Sequence, residues 1–188
     1  MSPQHQFDRL AQVLDVPDNV VGAPSKEEWE SFVEGHGCGF RLPEDYGLFL
    51  QRYGSGSLVL REEPTNWFMM LWSPFHPDPA QRFLTQCAQD LVSLKAIKST
   101  TGDDFPFKLA FEPGGLLPWG GIEQGLFLCW ETSGEPDDWP VVLIEDGYNT
   151  TRFDGGFAHF MHQVICEPFS PLFGGRFEAP QKFMWQPV

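Results

Sequence analysis

Leu42-Pro43-Glu44-Asp45-Tyr46-Gly47-Leu48-Phe49-Leu50-Gln51-Arg52-Tyr53-Gly54-Ser55-Gly56-Ser57-Leu58 carries a helix, its stop and the start of a strand in one stretch. Pro43 suits a first helical position, where its missing N–H would be unpaired anyway, and Glu44 and Asp45 set negative charge at the positive end of the helix dipole. Leu42, Tyr46, Phe49, Leu50 and Tyr53 recur at helical spacing and make one apolar stripe, with Glu44, Asp45, Gln51 and Arg52 mostly off it. Gly54 and Gly56 are read as positive-φ residues that end the helix and turn the chain into a strand-like run, Ser57 to Arg61. The stretch marks a seam between a helical layer and a sheet.

Upstream, Phe7, Leu10, Ala11 and Leu14 have helical spacing before two prolines and a glycine break it, so residues 1–24 read as a helical appendage. Ser25 followed by Glu28 is a capping box, and the helix it opens shares Trp29, Phe32 and Val33 on one face. That helix stops near Gly35 to Gly39.

Downstream, Leu58 and Leu60 alternate, Glu62-Glu63-Pro64 turns, and Trp67 to Trp72 follows as a hydrophobic strand, which together read as a hairpin. Phe83, Cys87, Leu91 and Leu94 mark a further helix that ends before Thr101-Gly102. Strands are expected at Phe107 to Phe111, Gly125 to Glu131 and Val141 to Glu145, separated by Pro113-Gly114-Gly115, Gly120-Gly121, an acidic loop from Ser133 to Pro140, and Asp146-Gly147. A last helix carries Phe157, Phe160, Met161, Val164 and Ile165 on one face. Helices before and after a run of strands predict an α+β domain over residues 25–166, a single, largely antiparallel sheet packed against flanking helices. The tail, 167–188, holds four prolines and the rings of Phe169, Phe173, Phe177, Phe183 and Trp185; it lies across the domain or buries those rings in another copy.

The chain of 188 residues, 41% hydrophobic with 18 Phe and 7 Trp, is large enough to fold on one core without staples. Cys38, Cys87, Cys129 and Cys166 form no CxxC pair, and the N-terminus has no basic region followed by an apolar run, so a cytoplasmic protein with reduced thiols is expected. Trp67 to Trp72 is the longest apolar run and is far too short for a bilayer. A net charge of −14 argues against nucleic acid or anionic lipid as direct partners, since phosphate contacts need clustered Lys and Arg. A basic protein fits better. From Asp103 to Asp154 eleven acids stand against Lys108 and Arg152, a net −9 of the −14. Solubility alone is the other account of such a surface.

His159, His162 and Cys166 share a helix, with His162 and Cys166 one turn apart, but no further Cys or His pair is spaced to complete a zinc site, and they read as solvated residues. A Cys–His hydrolase needs a thiolate, a base and an oxyanion site, and nothing singles out one of the four cysteines. The glycines form neither GxxxxGK[ST] nor GxGxxG. No cofactor, metal or catalytic residue is therefore assigned. Trp119, Trp130 and Trp139 lie among the acids, a mixture suited to protein recognition; Trp139, in a loop beside Asp137 and Asp138, is the expected exposed anchor, whereas Trp130, in a strand, can equally be core.

Taken in order, Leu42-Pro43-Glu44-Asp45-Tyr46 with Phe49-Leu50 and the Tyr53-Gly54-Ser55-Gly56 stop, Gly115-Leu116-Leu117-Pro118-Trp119-Gly120, Gly125 to Trp130, Pro140-Val141-Val142 and the closing helix from Phe157 resemble the SUKH superfamily, in the branch of the yeast Smi/Knr cell-wall-assembly regulators and their bacterial relatives. The resemblance implies a mixed sheet flanked by helices, with Leu42, Pro43, Tyr46, Phe49, Leu50, Gly54, Leu116, Pro118 and Gly120 as packing and turn residues. It also implies, for bacterial members, an immunity protein that binds and neutralises a toxin, commonly a nuclease delivered by contact-dependent or related secretion. The expectation is thus a non-enzymatic binding module, a homodimer being one possible assembly. Its contact residues would be Asp103, Asp104, Glu123, Glu135, Asp137, Asp138 and Trp139. An intracellular regulatory scaffold is the alternative, and a thiol enzyme the third reading.

Overall fold

A computed structural model describes residues 2–34, 41–62, 65–110, 112, 114–122, 125–145, 149–166 and 183–188 of the chain. The glycine-rich stop at 35–39, Cys38, Glu123 and the rings of Phe169, Phe173 and Phe177 lie outside them.

The organising helix is α3 (Glu44–Tyr53), preceded by α1 (Pro3–Leu10) and α2 (Lys26–Glu34). Every stripe residue of α3 is buried: Leu42, Tyr46, Phe49, Leu50 and Tyr53 are each 1% exposed or less. Pro43 stands one place earlier than expected, at the N-cap, and Gly54 closes the helix at φ 68°. A Cβ at Gly54 would also lie 2.2 Å from the Val21 carbonyl, so both conformation and space demand glycine. Gly56 does not share that role; it opens β1 in extended conformation, packed against Trp185. The Ser25–Glu28 capping box forms as its spacing predicts, each backbone N–H donating to the other side chain, at 2.8 and 3.1 Å.

The sheet contains β1 (Gly56–Glu62), β2 (Thr65–Leu71), β3 (Lys108–Leu109), β4 (Gly115–Ile122), β5 (Leu126–Glu131), β6 (Val141–Glu145), β7 (Asn149–Phe153) and β8 (Phe183–Pro187). Its order is β7-β6-β5-β4-β2-β1-β8, antiparallel throughout, with β3 added parallel to β4. The remaining helices are α4 (Phe83–Thr101) and α5 (Phe157–Cys166). The fold is α+β, one mixed, largely antiparallel sheet with flanking helices.

Three strands depart from the sequence reading. β4 runs through Gly115, Pro118, Gly120 and Gly121, which in isolation read as turns. Its far edge is split: β3 pairs at Gly115 and Leu116, β2 pairs at Gly120 to Ile122, and Pro118 falls between them where the register against β5 shifts. The missing proline N–H is accommodated at that irregularity. β7 is short and polar and escapes an apolar-pattern search. β8 alternates cleanly, with Phe183 and Trp185 buried and Met184 and Gln186 exposed, and pairs with β1.

Strand alternation sends Trp119, Trp130, Val141 and Leu143 into the core shared with α3 and α5, and Leu116, Cys129, Val142 and Ile144 into a second cluster with Leu94 of α4 and Phe105. Phe83, at the other end of α4, reaches the larger core beside Tyr46 and Trp130. In that core the rings of Tyr46, Phe49, Trp119 and Phe157 meet edge to face at 5.1–5.3 Å. Phe7, Leu10 and Leu14 belong to the same core, with α1 packed on α3 and α5, and so do Phe183 and Trp185. The boundaries expected at residues 24 and 167 therefore do not divide the core: the appendage and the described end of the tail are built into the domain. Of the two placements open for the tail, its last strand lies against the domain itself. No helix among the described residues is long and apolar enough to cross a membrane.

Candidate protein-binding surface

The acidic third of the sequence is not one surface. Asp104 is exposed in the turn after α4, the helix whose later half covers the Leu94 face of the sheet. Glu135, Asp137 and Asp138 instead belong to a one-turn 3-10 segment, Pro136–Asp138 with its cap, which sits on the start of α3. The Asp103 side chain and Glu123 lie outside the described residues. Glu131 and Asp154 are both engaged by Arg152, at 3.2 and 3.6 Å.

Trp139 is not the exposed anchor its loop position predicts. It is 5% exposed, its ring lies 6.3 Å from that of Trp130, and its indole N–H donates to the Gly134 carbonyl at 3.2 Å. The physical reason is that the tight turn folds the loop back on itself, and a ring of that size is better placed in the core than in water. Trp119 and Trp130 are fully buried as well.

Asp137 also has a structural task. Its Oδ1 accepts the Glu44 backbone N–H at 2.6 Å, and its other oxygen meets Arg41 at 3.6 Å. Pro43, at the N-cap, offers no side-chain oxygen, so a carboxylate from another part of the chain satisfies a donor at the start of α3. One residue on, the pattern repeats. Asp45 is buried, and its Oδ2 accepts the Ala158 N–H at 2.7 Å, at the start of α5, while Oδ1 has no hydrogen-bond partner within normal geometry among the described residues. Burial is the main reason its carboxyl is pushed up to about 7; the Ala158 N–H opposes this and the charge of Asp137 adds to it. The sequence reading set Asp45 mostly off the stripe, as a charge at the positive end of the helix dipole. Its place between Leu42 and Phe49 on the helix already put it at the stripe's edge.

Beside this turn, the Trp29 ring of α2 reaches α3 at Gly47 and Tyr46. Gly47 makes that approach possible: a Cβ there would lie 2.3 Å from the Trp29 ring. Between the two helices runs an open groove of about 560 Å³. The half-buried Val33 and Leu48 supply its apolar surface, over the buried Trp29 and Leu42, and Glu30, Glu34, Glu44, Lys26 and Arg41 its charges. Compared with family models, curated proteins and solved structures, the chain matches none. The site's character therefore rests on its geometry: an apolar groove bordered by carboxylates, continued by Glu135 and Asp138 on the neighbouring turn.

None of the groove's charged residues was singled out by spacing, because α2 and α3 meet only in the fold. The signal available was that both helices open with acids, Glu27 and Glu28 in one, Glu44 and Asp45 in the other.

The His162–Cys166 pair does come together, Sγ to Nε2 at 3.6 Å on the exposed side of α5. It stands at the C-terminal end of that helix. Cys129 is fully buried, and burial, with the Asp90 charge as a smaller cause, drives its thiol well above the ordinary range. The buried Cys129 is thus held as the neutral thiol.

Proposed function

We propose that this chain is a non-enzymatic protein-binding module that neutralises a basic toxin domain, of nuclease type, through the acidic side formed by α2, α3 and the Pro136–Asp138 turn. The observation that carries the reading is the juxtaposition of Glu30, Glu34 and Glu44 around an apolar groove with Glu135 and Asp138 beside it. A cleft that holds nucleic-acid phosphate must be cationic, so a carboxylate-bearing surface can occupy it in place of substrate. Opposite charge also steers the encounter and raises the association rate. The ordered motifs that resemble the SUKH superfamily support the same class, and neutralisation would take place in the cytoplasm.

Co-expression tests this reading. Cells producing the toxin domain encoded beside this gene should survive when the chain is present, and the two proteins should copurify. Death of the cells despite soluble expression of both proteins overturns it. Capture of an endogenous signalling or wall-assembly protein instead would favour a regulatory scaffold.

A further inference from the structure

We infer that the groove between α2 and α3 receives a basic, amphipathic segment of the partner protein, an Arg or Lys side chain with an aliphatic neighbour; this rests on the binding-module reading above.

Both cations of the groove are already engaged. Lys26 pairs with Glu30 at 3.7 Å, and Arg41 is turned toward Asp137 at 3.6 Å. Glu34 and Glu44, both exposed, have no ion pair among the described residues. What the groove offers is two carboxylates with no ion pair among the described residues, above an apolar floor of the half-buried Val33 and Leu48. Such a surface disfavours an anion by repulsion, and a wholly apolar ligand would strip water from Glu34 and Glu44 without replacing its hydrogen bonds. A guanidinium or ammonium on an aliphatic stem satisfies both requirements: the stem covers the half-buried Val33 and Leu48, and the cation meets the carboxylates. At about 560 Å³ the groove holds more than one side chain. It suits a turn of helix or a short extended run rather than a lone residue.

The experiment uses the full chain and a synthetic amphipathic helical peptide of alternating Leu and Arg pairs, titrated calorimetrically at low salt, with the same peptide carrying Glu for Arg as control. Glu34→Gln/Glu44→Gln should weaken binding of the Arg peptide about tenfold, as expected for two lost charge contacts. Asp104→Asn/Glu112→Gln removes the same net charge at exposed sites outside the groove and should leave affinity within about twofold. Equal weakening by both double variants, or no binding of the Arg peptide to the wild type, overturns the groove assignment. The co-expression assay separates this from the broader reading. If Glu34→Gln/Glu44→Gln still protects cells, only the groove assignment fails; if the wild type does not protect, the binding-module reading fails too.

Discussion

Asp137 caps α3 across ninety-three residues of sequence, its carboxylate accepting the Glu44 N–H at 2.6 Å. From the next position Asp45 does the same for α5 through Ala158. The acidic turn, the organising helix and the closing helix are thus tied in series by two aspartate side chains, each accepting a backbone N–H at the start of a helix. An acid that looks like part of a partner surface is therefore also part of the frame.

Asp137→Ala should destabilise the protein by about 1 kcal/mol, the usual cost of a lost helix cap. Asp138→Ala, one residue on and exposed, should change little. Urea denaturation midpoints of the two variants check this, and equal shifts would deny Asp137 its capping role.

Asp45 makes stability depend on pH with a definite sign. In the folded protein its carboxyl keeps a proton up to about 7, against an ordinary 3.8 when unfolded. Between those values the folded state binds more protons, so stability falls as pH rises and levels off above about 7. At about 1.4 kcal/mol for each pH step between the two values, the loss approaches roughly 4 kcal/mol. Asp45→Asn should remove that slope when unfolding free energies are compared between pH 4 and 8. Asp90, also raised to about 7 by burial but partly exposed, should leave a smaller slope of the same sign. An unchanged pH profile in Asp45→Asn would show that another group carries it.

Leu50→Ala should cost roughly 2 to 5 kcal/mol, because Leu50 is wholly buried on the stripe and its neighbours cannot fully close the space. A denaturation midpoint close to that of the wild type would mean that α3 presents a different face.

Trp185 tests whether the chain's last strand belongs to the domain. Its ring meets Phe49 edge to face at 5.0 Å and its N–H donates to the Tyr53 carbonyl at 2.8 Å. Trp185→Ala should cost roughly 3 to 5 kcal/mol and Trp185→Phe distinctly less, the difference combining lost ring area with the hydrogen bond. Near-neutral thermal shifts for both would detach β8 from the core.

Much of the frame was legible in the sequence because it is written in local periodicity and capping. The α3 stripe, the Ser25–Glu28 box, the Gly54 stop and the buried face of α5 all involve residues within a few turns of one another. β4 was hidden because its glycines and Pro118 have turn chemistry locally, and only the split pairing with β3 and β2 makes them a strand. The site was less legible. Trp139 was misplaced because a tight loop can fold its ring inward, which flanking charge does not reveal. Glu34 and Glu44 escaped because their meeting across a groove depends on Gly47 letting Trp29 approach, a contact between two helices.

The central claim, that a basic partner is met by the acidic side of α2, α3 and the adjoining turn, is tested most directly by the association rate. Stopped-flow mixing with the copurified toxin domain should give a rate that falls as salt rises, and Glu135→Lys/Asp138→Lys should slow it about tenfold or more at low salt. Both residues are exposed, and neither makes the helix cap that Asp137 supplies. A low-salt rate unchanged in that variant would contradict the account.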